Sequence, residues 1–71
     1  MTQKVTDMAS AERLLRNRFL TPVSPLSAIT QVVRDDHVDR HVARRAFSTL
    51  LSRNDILYTG PYRVKVNDKQ K

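Results

Sequence analysis

The stretch VDRHVARRAFSTLLSRN, residues 38–54, decides how the rest of this chain is read. Val42, Ala43, Ala46, Phe47, Leu50 and Leu51 recur at three- and four-residue spacing, which on an α-helix merges into one continuous apolar stripe. A stripe of that kind has to face a core. The opposite side carries Arg40, His41, Arg44, Arg45, Ser48, Ser52 and Arg53, with no acid among them. Such side chains donate to phosphate oxygens or to base edges. Asp39 is placed to cap the helix, because its carboxylate can accept from the free first-turn amides and oppose the positive end of the helix dipole. Asn54 stands where a left-handed residue would end it.

Upstream, Met8, Ala11, Leu14 or Leu15, and Phe19 also recur at helical spacing, and predict a first helix over about residues 7–20 with Thr6, Asp7 or Ser10 as its cap. Residues 1–5 carry no structural signal and are expected to fray. Thr21-Pro22-Val23 cannot continue the helix, since proline lacks an amide hydrogen and disfavours helical geometry in the residue before it. Val23 is extended and free to pair with a later strand. Ser24-Pro25 restarts a helix, with serine as N-cap and proline at the first helical position, and Leu26, Ile29, Val32 and Val33 mark its buried face. The turn at Arg34-Asp35-Asp36-His37 is so short that the second and third helices must cross at an angle, with Val38 as the plug between them.

Downstream of Asn54 the period changes. Ile56, Leu57 and Tyr58 lead into Thr59-Gly60-Pro61, where the chain's one glycine is followed by proline, a turn signal. Tyr62, Val64 and Val66 then alternate with Arg63 and Lys65, as in a strand with one face on a core and the other in water. The expected hairpin has a basic wet face. Tyr58 and Tyr62 read as half-buried core with their hydroxyls in water, rather than as stacking residues. Arg63 and Lys65 suit two roles, contact with a polyanion or the charges that keep an edge strand from aggregating.

Composition narrows the functional classes. With 71 residues and no cysteine, the chain has one small domain's worth of core and neither disulfides nor thiolate metal sites. Thirteen Lys and Arg against seven Asp and Glu leave a net charge of +6, which favours a polyanionic partner. His37 and His41 stand four apart near Asp36 and Asp39, but the turn and cap between them break a common helical face and nothing completes a ligand shell, so no metal and no cofactor are expected. No nucleophile–base pair or glycine-rich phosphate loop is evident, and so short a chain is not expected to enclose a substrate pocket. Neither an enzyme nor a small-molecule substrate is indicated. No apolar run approaches a membrane span and the N-terminus lacks the apolar core of a secretory signal, so a cytoplasmic protein without membrane attachment is expected.

The order helix, extended link, helix, turn, helix and basic hairpin resembles the winged helix-turn-helix DNA-binding family over about residues 7–66. The resemblance is carried by SPLSAITQVV, VDRHVARRAFSTLLSRNDI and LYTGPYRVKV. It implies an α+β fold of three helices and a small β-hairpin wing over residues 7–66; by their polarity, residues 1–6 read as a flexible N-terminus and 67–71 as a polar tail. It also implies double-stranded DNA as partner, read by the third helix in the major groove with the hairpin on the adjacent backbone. Arg40, His41, Arg44, Arg45, Ser48, Arg63 and Lys65 would then be the contacts. Two departures stand out: the family commonly has glycine where Asn54 stands, and Asp35 and Asp36 make the turn unusually acidic, so they should face away from DNA. The small size is similar to that of phage and plasmid regulators, which implies a transcriptional regulator or a recombination accessory factor. A single module of this size reads few base pairs, so a homodimer or cooperative binding on DNA would sharpen it. The alternative is a protein-interaction module, a phage-type inhibitor that docks its basic face on an acidic protein.

Overall fold

A computed structural model describes residues 4–67, and residues 1–3 and 68–71, with most of the expected polar tail, lie outside the described residues. Three helices, α1 (Met8–Arg18), α2 (Pro25–Asp35) and α3 (Arg40–Ser52), are followed by an antiparallel hairpin of β1 (Ile56–Gly60) and β2 (Arg63–Val66). This is the α+β layout of a winged helix-turn-helix. Each helix begins where local chemistry directs. The Asp7 carboxylate accepts from the Ser10 amide at 2.9 Å and that of Asp39 from the His41 amide at 2.9 Å, each satisfying a first-turn donor. Ser24 holds the N-cap position of α2 without a side-chain hydrogen bond, leaving the start to Pro25. Asn54, at φ 63°, ends α3 in the left-handed region that asparagine tolerates. The first helix stops at Arg18, shorter than its apolar spacing suggests, because Phe19 caps it by bonding back to Arg16.

The core gathers Ala11, Leu15 and Phe19 from the first helical segment, Ala28 and Val32 from α2, Ala43, Ala46 and Leu50 from α3, Val38 from the turn, and Ile56 and Val64 from the hairpin. Burying each large apolar side chain contributes about 1.5–3 kcal/mol. Small residues line α1, α2 and α3 where they approach one another, and Phe19 and Phe47 meet with ring centroids 5.9 Å apart. Val38 is buried as the expected plug.

The hairpin is held by more than its own ladder. Val23 exchanges both backbone hydrogen bonds with Val64, at 2.8 and 3.1 Å, and the Val66 amide donates to the Phe19 carbonyl at 2.8 Å. β2 is thereby flanked by β1 on one side and by the α1–α2 link on the other. Asn67, assigned to the tail by its polarity, instead donates to the carbonyls of Asp55 and Asn54, both at 2.9 Å. A similar tie corrects the N-terminal end. Val5 donates to His37 at 2.7 Å and accepts from Asp39 at 3.0 Å, so it is pinned across the α2–α3 turn rather than frayed.

Three other expectations fail for tertiary reasons. Leu26, placed on the buried face of α2, is 73% exposed, because α2 turns the side that holds Ala28 and Val32 into the core it shares with α1 and α3. Tyr62 is not a strand residue: it occupies the Pro61-Tyr62 turn at φ 62° and is 82% exposed. Proline followed by a left-handed residue is the order of a type II turn, so the left-handed position falls on tyrosine and not on Gly60. Tyr58 pairs with Val64 in the ladder but is itself 58% exposed, although Val64 is fully buried.

Candidate nucleic-acid interface

At about 100° per residue, Arg40, His41, Arg44, Arg45 and Ser48 occupy roughly 140° of the circumference of α3, opposite Ala43, Ala46 and Leu50. All of them are exposed. Burial of the alanine and leucine side chains fixes the rotation of the helix and so holds the basic side outward. The first two turns bring Arg40 and Arg44 against α2, where both line a cleft of about 420 Å³ with Leu26, Ile29, Thr30, Val33 and Arg34. That is more concavity than so short a chain suggests, although the exposure of Leu26 leaves it an open groove.

The acids explain why this face stays cationic. Asp7 and Asp39 are spent on helix caps, and the Ser10 backbone amide holds the Asp7 carboxyl below its ordinary pKa. Arg18 pairs with Asp36 at 3.0 Å and approaches Asp35 to 3.8 Å, while Arg34 bonds Asp35 at 3.2 Å. Arg53 pairs with Glu12 and reaches Asp55 at 3.7 Å. Among the described residues, no carboxylate forms an ion pair with Arg40, Arg44, Arg45 or Arg63. Arg53 therefore does not belong to the polar side of α3 with which the sequence grouped it: at about 100° per residue it falls beside Ala46, in the seam between α1 and α3.

On the hairpin, Ile56, Tyr58, Val64 and Val66 share the inner face, and Arg63 and Lys65 share the outer face with Leu57. Arg63 is exposed and lies beside Ser24, Ser27 and Gln31 at the start of α2. Arg63 of the wing and Arg40 and Arg44 of α3 line different clefts. The outer surface of α2 intervenes, where Ser27, Thr30, Gln31 and Arg34 form a polar row at three- and four-residue spacing. That row escaped the sequence reading, although its period was available in it. The two histidines diverge as well: His37 sits in the turn at φ 59°, off the helix that carries His41.

Among the described residues no helix is long and apolar enough to cross a membrane. Comparison with protein-family models, with curated proteins and with solved structures finds no match.

Proposed function

We propose that this protein is a winged helix-turn-helix module that binds double-stranded DNA, with α3 in the major groove and the hairpin on the adjacent backbone. The observation that carries the reading is the basic side of α3, exposed and, among the described residues, without carboxylate partners, while the turn acids Asp35 and Asp36 are held by Arg18 and Arg34. Arg44 and Arg45 supply guanine or phosphate contacts, Arg40, His41 and Ser48 flank them, and Arg63 and Lys65 meet the backbone. The polar row of α2 adds hydrogen-bond donors between the two. Binding requires no cofactor, metal or catalytic step, and suits a small cytoplasmic transcriptional regulator or recombination accessory factor that gains specificity as a homodimer or by cooperative assembly on DNA.

Fluorescence anisotropy of a labelled mixed-sequence duplex, titrated at several salt concentrations, tests this. If Arg40, Arg44, Arg45, Arg63 and Lys65 neutralise about five phosphates, log affinity falls with log salt at a slope of about −4 to −5. The Arg44→Ala, Arg45→Ala double variant, with its fold checked by circular dichroism, should lose most of the binding. A flat salt response, or equal binding by that variant, overturns the reading.

A further inference from the structure

The apolar side of α2 is wider than its neighbours cover. Ala28 and Val32 are buried against the other helices, and Ile29 and Val33 are only partly covered. Leu26, at three and seven residues from Ile29 and Val33, extends the same stripe into solvent. A leucine this open is not unusual by itself. Its setting is unusual: the stripe floors the cleft whose far wall is Arg40 and Arg44. Arg34 also reaches the cleft, but its guanidinium is engaged by Asp35, so the available charge comes from α3.

We infer that this cleft is a docking groove for an acidic amphipathic helix of a partner protein. Charge complementarity selects that occupant. Apolar side chains at helical spacing would cover Leu26, Ile29 and Val33, while carboxylates along one edge of the same helix would accept paired hydrogen bonds from Arg40 and Arg44. A basic helix would be repelled, and a purely acidic segment would leave the leucine stripe wet. The groove is too open to bury most of a small molecule, as small-molecule sites do. Arg40 and Arg44 are also the proposed DNA contacts, so an occupied groove withdraws them from the duplex. This last consequence, and not the groove itself, rests on the DNA-binding reading.

The test uses the full chain, labelled with ¹⁵N, and a synthetic helical peptide of about 16 residues, long enough to hold a marginal helix. The peptide carries leucines at i, i+3, i+4 and i+7 with glutamates along one flank, and is compared with a shuffled isomer of the same composition. Amide shifts should concentrate on residues 26–34 and 40–44. Leu26→Ser, a change at an exposed site that leaves the core intact, should weaken the peptide by about tenfold or more while leaving duplex binding unchanged. Equal binding of the shuffled isomer, indifference to Leu26→Ser, or shifts centred elsewhere would overturn the groove, since charge alone would then account for the association. Saturating peptide should also release labelled duplex. If wild-type protein binds peptide in the groove but never binds duplex, the DNA reading fails and the groove stands; if duplex and peptide bind together, the proposed competition is refuted.

Discussion

Arg18, the last residue of α1, donates Nη2 to the Asp36 carboxylate at 3.0 Å across 18 residues of chain, and Nη1 to the Gln31 side chain at 3.3 Å. One guanidinium thus ties the end of the first helix to the α2–α3 turn and neutralises an acid in that turn. Both partners are about a quarter exposed, which places the pair between a surface ion pair and a buried one. Arg18→Ala should cost about 1–2 kcal/mol in urea denaturation. It should also weaken duplex binding in anisotropy, because Asp35 and Asp36 lose a cation.

Arg53 tests the opposite point. It lies at the end of α3 but is engaged by Glu12 and Asp55. Arg53→Ala should lower the thermal midpoint modestly and leave the salt slope of DNA binding unchanged. A slope reduced by about one would return Arg53 to the interface.

Leu15 and Leu26 look alike as helical leucines, yet one is fully buried and the other is 73% exposed. Leu15→Ala should cost about 2–5 kcal/mol through lost burial and the cavity it leaves. Leu26→Ala should stay within about 0.5 kcal/mol. Paired chemical denaturation curves with unchanged slopes would establish the contrast.

The hairpin turn places tyrosine, not glycine, in the left-handed region. Relief of roughly 1–2 kcal/mol of steric cost, set against roughly 0.5–1 kcal/mol for glycine's extra unfolded-state freedom, leaves Tyr62→Gly neutral to slightly stabilising. Gly60 has no positive φ and open space where a Cβ would stand, so Gly60→Ala should be tolerated. Thermal melts of the two variants decide the matter.

Asp7 couples α1 to pH. Its pKa is lowered in the fold by the Ser10 amide, so its stabilisation is complete above the ordinary carboxylate pKa and is lost as pH falls through the lowered folded value. Wild type should therefore melt higher than Asp7→Ala near neutral pH, and the difference should shrink in strong acid. A difference independent of pH would remove the carboxylate from the cap.

What the sequence determined by itself is short-range. Pro25, Asp39 and Asn54 mark helix ends because caps and breaks act within one turn, with Asp7 one of three candidates for the first cap, and the spacing of Ala43, Ala46 and Leu50 sets Arg44 and Arg45 outward because helix geometry alone relates them. Periodicity states which residues share a face; it does not state what covers that face. That Leu26 stays open, that Val5 is pinned beside Val38, that Tyr58 stays exposed, and that Arg53 is claimed by a glutamate 41 residues away were decided only when the elements packed. The same packing assigned Asp36 to Arg18 and left Arg40 and Arg44 beside an apolar groove, because burial and ion pairing depend on neighbours brought together through space.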